Sequence, residues 1–158
     1  MGGRRWFGII VLLAACGGGN AESAQAFVVD VVDGDTVVID FGGREEAVRL
    51  IGIDTPETVH PDRPVECFGP EASAFAARLL PPGTEVTVTR DIVDRDDYGR
   101  LLGYVHRIDG LFVNESLVQE GYAVPLRIEP NAAHAATFLA AAKAAEAEDL
   151  GLWAACGE

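Results

Sequence analysis

The sequence predicts an α+β domain built as a small five-stranded β-barrel with three helices. Short runs rich in Val and Ile, separated by turn residues, predict strands, and apolar residues at helical spacing predict helices. The predicted order is three strands, a helix, two strands and then helices, which is typical of the OB-fold. A hydrophobic fraction of 49% in a chain of 158 residues is enough for one buried core.

The first three predicted strands form a meander that closes on a glycine turn. They cover residues 27–33, 36–41 and 45–53. Gly42-Gly43 is typical of a hairpin turn, and folding the hairpin there sets Asp35 opposite Leu50 and next to Arg49. We therefore expect the turn that contains Asp35 to lie close to Asp54, at the end of the third strand.

The remaining predicted elements alternate between helices and strands. Pro70 and Glu71 suit the first turn of a helix that Pro81 ends. Asn131 can cap a final alanine-rich helix that runs to about Asp149. The other elements, in chain order, are strand 84–90, the charged hairpin loop 94–100, strand 101–108 and a short helix over 113–120.

Residues 1–26 are predicted to lie outside the domain, which then covers residues 27–158. Two arginines precede an apolar stretch of ten residues, too short to span a bilayer and typical of a signal peptide. The segment Leu13-Ala14-Ala15-Cys16 resembles a bacterial lipobox, in which Cys16 is lipidated and the glycines after it form a tether. Ala24-Gln25-Ala26 instead offers an ordinary cleavage site, which would release a secreted protein. Both alternatives predict export.

Export permits disulfide bonds. If Cys16 carries lipid, Cys67 and Cys156 remain as a pair that would close a loop of about 90 residues, stabilising the fold by about 4–5 kcal/mol in the chain-entropy model. Two separate buried thiols are the alternative. The sequence contains no Cys-x-x-Cys motif or Cys/His cluster, which argues against a zinc site.

The formal net charge of −13 argues against a strong non-specific nucleic-acid binder, which normally carries a basic surface. The same charge fits a cation-binding or extracellular protein. Lys143 is the one lysine in the sequence, so arginine supplies nearly all the positive charge. Arginine suits bidentate contacts with phosphate.

An apolar run beginning at Arg49 ends abruptly in two carboxylates, Asp54 and Glu57. The run predicts a buried strand, and Thr55-Pro56 must leave the sheet, so both carboxylates should stand at the rim of the barrel. Calcium prefers carboxylate, carbonyl and water oxygens, which Asp35 and Asp54 can begin to supply. Glu57, further out, suits a general base that orients and deprotonates a water molecule.

Each of these residues also has a purely structural interpretation. Aspartates commonly shape turns, and Asp54 could cap the segment before Pro56. The arginines could neutralise acidic neighbours: Arg49 could pair with Glu45 or Glu46, and Arg100 with Asp96 or Asp97. Taken singly, such interpretations are the more common ones, but the joint order and spacing of these residues favour a catalytic site.

Over residues 27–153 the chain resembles the staphylococcal nuclease (thermonuclease) family. Five motifs carry the resemblance in one order: Asp33-Gly34-Asp35-Thr36, Val48-Arg49-Leu50 through Asp54-Thr55-Pro56-Glu57, Val65-Glu66-Cys67-Phe68-Gly69-Pro70-Glu71-Ala72, Asp97-Tyr98-Gly99-Arg100, and Val113-Asn114-Glu115 with Leu117-Val118. The resemblance implies an OB-fold that hydrolyses DNA and RNA phosphodiesters with Ca2+.

The resemblance also implies a role for each residue of the site. The metal ligands are Asp35, Asp54 and the backbone carbonyl of Thr55. The general base is Glu57. The arginines that bind phosphate are Arg49 and Arg100, with Arg100 nearer the leaving oxygen.

Three positions depart from the family pattern. Leu126 and Ile128 stand where a pair of tyrosines usually helps to hold the nucleotide, which predicts base stacking weaker by about 1–3 kcal/mol per lost contact. Asp97 replaces a basic residue beside the phosphate path. Tyr98 remains and can contact a terminal phosphate. Weak, salt-sensitive substrate binding is the expected result.

The sequence as a whole predicts an exported, monomeric, calcium-dependent endonuclease of low specificity that favours single-stranded DNA or RNA. It is either held to the membrane of the cell envelope by lipid on Cys16 or secreted. The alternative is a non-catalytic nuclease-like OB module that binds nucleic acid or protein. A third option, a surface protein that only binds calcium, is disfavoured by the arginines that suit phosphate.

Overall fold

The computed structural model describes residues 25–58 and 64–156. Within these ranges the chain forms seven strands and four helices. They are β1 (Ala26–Val31), β2 (Thr36–Phe41), β3 (Glu45–Leu50), β4 (Ile53–Asp54), α1 (Gly69–Leu79), β5 (Glu85–Thr89), β6 (Leu101–Arg107), α2 (Val113–Gln119), β7 (Val124–Pro125), α3 (Ala135–Ala147) and α4 (Leu152–Ala155). Residues 1–24 of the predicted leader, including Cys16, lie outside the described residues. Ala26, which the prediction places in the leader, is buried in β1 and pairs with Phe41 and Val86, so the barrel begins one residue before the predicted start of the domain.

Five strands close into the predicted barrel, in the order β1-β2-β3-β6-β5, with β5 returning to pair with β1. Strands β3 and β6 are parallel, and the other neighbours in the barrel are antiparallel. The hairpin of β2 and β3 turns at Gly42-Gly43 and pairs Thr36 with Arg49. Consistent with this register, the Leu50 amide donates to the Asp35 carbonyl at 2.8 Å, so the predicted pairing is confirmed.

The interior of the barrel is aliphatic. Its fully buried side chains include Val37, Ile39, Val48, Leu50 and Val105, and burying a side chain of this size stabilises the fold by about 1.5–3 kcal/mol. Helix α2 is fixed to the barrel by a buried amide, because Asn114 donates to the Ile51 carbonyl at 3.0 Å and accepts from the Val105 amide at 2.9 Å.

The C-terminal half adds one short helix to the three predicted ones and corrects one prediction. The part of the chain that the structure describes contains a fourth helix, α4, because Gly151 turns the chain and lets the Leu152 amide donate to the Gly121 carbonyl at 2.8 Å. Asn131 does not cap α3, which begins at Ala135 with no side-chain cap. Instead, its side chain accepts from the Val93 amide at 2.8 Å and donates to the Val93 carbonyl at 2.9 Å.

A disulfide joins Cys67, just before α1, to Cys156, just after α4. This is the expected pair, so the alternative of two separate thiols does not hold in the structure. In residues 25–58 and 64–156, no helix combines the length and the hydropathy needed to cross a bilayer.

Candidate active site

Asp35 stands at the tight turn between β1 and β2. The turn is closed by the Val32 amide, which donates to the Thr36 carbonyl at 2.9 Å, and by the Asp33 carboxylate, which accepts from the Asp35 amide at 3.0 Å. Gly34 allows this turn to pack closely, since a Cβ atom there would lie 2.6 Å from the Thr55 hydroxyl oxygen. The turn is thereby pressed against the segment that follows β4.

The Asp35 side chain is buried among hydrogen-bond donors. Oδ2 accepts from both the backbone amide and the hydroxyl of Thr55 at 3.1 Å, and Oδ1 accepts from the Thr36 hydroxyl at 3.2 Å. Burial raises the pKa of Asp35 to about 6, against the opposing effect of the Arg49 guanidinium. The carboxylate therefore sits where a positive charge would stabilise its ionised form.

Arg49 brings the two aspartates together. Its Nη2 lies 3.0 Å from Asp35 Oδ2 and 2.8 Å from Asp54 Oδ1, while its Nη1 donates to the Leu50 and Ile53 carbonyls at 2.5 and 3.0 Å. The Arg49 side chain is 15% exposed. A single guanidinium thus holds the end of β3, the start of β4 and two carboxylates in one arrangement.

Glu46, one of the two alternative partners of Arg49, is engaged elsewhere. Glu46 pairs with Arg44 and Arg95, each at 2.6 Å. The strand register explains this, because Glu46 lies opposite Ile39 on β2, further along β3 from the turn that carries Asp35.

Arg100 reaches the same site from the hairpin loop between β5 and β6. Its Nε donates to Asp96 at 2.7 Å, so the expected neutralisation of an acidic neighbour does occur. Its Nη1 donates to the Thr36 hydroxyl at 3.4 Å, and that hydroxyl contacts Asp35. The guanidinium also lies over the ring of Tyr98, 5.4 Å from its centroid, and Tyr98 is 86% exposed.

A cavity of about 420 Å³ opens beside the two arginines. Aliphatic side chains line part of it, among them Ile51, Leu102, Leu126 and Ile128. Asn131 also lines the cavity, and its side-chain amide is hydrogen-bonded to the backbone of Val93. Acidic side chains also line it, among them Asp96, Asp97 and Glu129. Aliphatic side chains, arginines and carboxylates therefore share the lining of this cavity.

Glu57 lies three residues beyond Asp54, on the segment that leads from β4 to α1. Its carboxylate Oε1 accepts from the Thr58 amide at 2.9 Å, and its own amide donates to Glu66 Oε2 at 3.0 Å. The Thr58 hydroxyl lies 3.3 Å from the hydroxyl of Ser73 on α1. The segment carrying Glu57 is therefore fastened by hydrogen bonds on both sides.

Asp35, Asp54 and the carbonyl of Thr55 are chemically suited to a hard cation. The carboxylates of Asp35 and Asp54 both lie within hydrogen-bond distance of Arg49 Nη2, so both can face one small cation. The Asp35 carboxylate is buried. Among the described residues, no group of three or more Asp, Glu, His or Cys side chains gathers around one point. Calcium, which takes six to eight oxygens, would need backbone carbonyls and water to complete its shell.

Two contributors were missed by sequence reasoning. Thr36, known only as part of a motif, joins Arg100 to Asp35 through its hydroxyl. Glu66, known only as part of a motif, contacts the backbone of Glu57. Neither contact could be found from the sequence, because each depends on how two separate segments meet in space.

Comparisons with known proteins agree with this architecture. Residues 47–155 match the model of the family described as "Staphylococcal nuclease homologue". The chain is 42% identical over 134 residues to the thermonuclease of Staphylococcus intermedius and 38% identical over 134 residues to that of Staphylococcus hyicus. These alignments cover 85% of this chain and 79% and 78% of the two relatives. It is also 37% identical over 128 residues to the endonuclease YncB of Bacillus subtilis, covering 80% of this chain and 60% of that relative.

A family match over more than half of the sequence, relatives of this identity and the closed five-stranded barrel lead to one conclusion: the chain belongs to the staphylococcal nuclease family.

Proposed function

We propose that this protein is a nuclease that hydrolyses phosphodiester bonds of DNA and RNA with calcium. The observation that carries the proposal is the meeting of Asp35 and Asp54 on one nitrogen of Arg49. Arg100 joins this group through Thr36. The relatives named thermonucleases and endonuclease support the same reaction class.

Calcium would be held by Asp35, Asp54 and the Thr55 carbonyl. When bound, calcium supplies concentrated positive charge beside the substrate phosphate. The buried Asp35 carboxylate, whose pKa is raised by burial in the absence of a cation, gains a counter-charge that keeps it ionised.

The protein's own side chains divide the remaining chemistry. Glu57 would accept the proton of the attacking water, a role that contributes about 10²–10⁴-fold to a rate. Arg49 and Arg100 would stabilise the negative charge that develops on the phosphoryl oxygens. Arginine suits this because its planar guanidinium can contact two oxygens at once.

The cavity beside the arginines would receive a base of the substrate. Its aliphatic side chains, Leu126 and Ile128 among them, offer contact area for a base. A nucleotide can enter such a cavity only when its base is unstacked, so single-stranded nucleic acid is the proposed substrate, cleaved with low sequence specificity.

We place the protein in the cell envelope, with lipid on Cys16 as its membrane anchor, residues 27–158 as its catalytic domain and a monomer as its working form. The disulfide between Cys67 and Cys156 supports export, since such bonds persist in oxidising compartments. Fractionation of cells that express Cys16→Ser tests the anchor. The variant should move to the soluble envelope fraction, and unchanged membrane retention would exclude lipidation at Cys16.

The reaction class is tested by incubating the purified domain with single-stranded DNA and calcium, with a chelator as the control. Cleavage that requires calcium supports the proposal. Binding of the DNA without cleavage would favour a non-catalytic nuclease-like module instead.

A further inference from the structure

The residue that fastens Glu57 is Glu66, at the far end of the loop that begins with Glu57. Two hydrogen bonds join them. The Glu57 amide donates to Glu66 Oε2 at 3.0 Å, and the Glu66 amide donates to the Glu57 carbonyl at 2.9 Å. Because one bond uses the Glu66 side chain, the arrangement depends on the identity of residue 66 and not on the backbone alone.

The same segment rests directly on the first residue of α1. A Cβ atom on Gly69 would lie 2.9 Å from the Glu57 carbonyl oxygen and 2.7 Å from the Thr58 side chain. The hydroxyls of Thr58 and Ser73 add a contact at 3.3 Å. The segment that carries Glu57 is thus held by its contacts with α1 and by its two hydrogen bonds with Glu66.

A disulfide links the end of this segment covalently to the C-terminal helix. Cys67 follows Glu66 directly, and its bond to Cys156 ties the end of the loop to the end of α4. The disulfide, Glu66 and residues 54–56 line the same cavity of about 290 Å³. The covalent link and the proposed metal ligands therefore border one cavity.

Resting on the function proposed above, we infer that Glu66 is a positioning residue for Glu57, and that the disulfide between Cys67 and Cys156 holds Glu66 in place. Glu66 touches neither substrate nor metal in this account. It fixes the backbone from which the general base projects, and displacement of a catalytic group by about 1 Å can lower a rate by about 10²-fold.

The substitutions Glu66→Ala and Glu66→Gln test the inference. Alanine removes the acceptor for the Glu57 amide, whereas glutamine keeps a carbonyl acceptor and loses only the charge. We expect Glu66→Ala to lower kcat about 10–100-fold with an unchanged KM, and Glu66→Gln to stay within about threefold of the wild type. Wild-type kcat in Glu66→Ala, or equal losses in both variants, would overturn the hydrogen-bond role.

A double-mutant cycle separates positioning from an independent effect. If Glu66 acts through Glu57, adding Glu66→Ala to Glu57→Gln should lower kcat no further. A further loss of similar size in the double mutant would overturn the inference. Glu146→Ala, an exposed change on α3, is the matched control and should leave kcat unchanged.

The role of the disulfide in holding Glu66 is tested with Cys67→Ser/Cys156→Ser at a temperature where circular dichroism shows the variant folded. We expect kcat about 2–10-fold lower with an unchanged KM, and a reductant should lower the wild type to the same level without affecting the variant. A lower Tm with wild-type kcat would show that the disulfide affects stability only, and would overturn its proposed role in holding Glu66. Wild-type activity in Glu57→Gln would instead refute the proposed general base, which distinguishes the two failures.

Discussion

The two halves of the site differ in how firmly the protein specifies them. Around Asp35 and Arg49, hydrogen bonds and ion pairs come from β2, β3 and β4 and from the segment after β4. The neighbouring cavity is shaped by aliphatic side chains such as Leu126 and Ile128, with Ile128 63% exposed. The half around Asp35 and Arg49, here called the tight half, is therefore fixed by directional contacts, whereas the cavity, the loose half, is bounded in part by aliphatic surface.

The largest effect should come from breaking the tight half with Arg49→Ala. The change leaves the buried Asp35 carboxylate without its guanidinium, and removing one partner of a buried ion pair costs about 3–5 kcal/mol. We expect about 3 kcal/mol, because the Arg49 side chain retains 15% exposure. The free energy of unfolding in urea, measured without calcium, checks this.

Arg44→Ala is the matched control, because Arg44 also pairs with a glutamate but its side chain is 73% exposed. Exposed pairs contribute about 0–1 kcal/mol, so its loss should be within that range. Equal losses in the two variants would show that Arg49 is no more than a surface charge.

Ile128→Tyr should strengthen substrate binding in the loose half, because it places an aromatic ring at the cavity. An exposed side chain at the cavity gives the ring access to a base, and stacking contributes about 1–3 kcal/mol per base. KM for single-stranded DNA should fall about fivefold or more while kcat stays constant.

Ile108→Tyr provides the comparison, since Ile108 is similarly exposed at 67% but follows β6, outside the residues that line the cavity. Its KM should match that of the wild type. An equal fall in KM in both variants would show that an exposed tyrosine strengthens DNA binding independently of the cavity.

The smallest expected effect concerns a region outside both halves. His106 stacks on Phe112 with ring centroids 4.2 Å apart, and its pKa is lowered by burial and by the charge of His134, against an opposing effect of Glu115. A lowered pKa means that the folded state disfavours the protonated ring. Stability is therefore present above about pH 6.5 and is lost as the pH falls through the folded pKa.

His106→Phe keeps the stacked ring and removes the titration. Between pH 7.5 and 5.5, the free energy of unfolding in urea should fall less for the variant than for the wild type. The difference between the two proteins should be smaller than the effects predicted above for Arg49→Ala and Ile128→Tyr. An identical pH dependence in both proteins would assign the acid sensitivity to other groups.

The sequence predicted the parts of the site that follow from local pairing. The glycine turn of the β2–β3 hairpin determines the register, and the register sets Asp35 opposite Leu50. The barrel followed from the order and type of its strands. Predicting the disulfide required only the count of cysteines that remain once Cys16 is assigned to the predicted leader.

Two of the contacts that sequence reasoning missed join segments far apart in the chain. Asn131 binds Val93 across 38 residues, and that contact takes it away from the helix cap its position predicted. Thr36 meets Arg100 across 64 residues. Such contacts depend on the packing of finished elements, which neither propensity nor periodicity encodes.

The most direct test of the account combines calcium binding with hydrolysis in one variant, Glu57→Gln. The amide cannot take a proton from water, whereas Asp35, Asp54 and Thr55 are unchanged. The account predicts that calcium raises the Tm of the variant as much as that of the wild type, while cleavage of single-stranded DNA falls about 10²–10⁴-fold. Cleavage at the wild-type rate, with the calcium-induced rise in Tm intact, would contradict it.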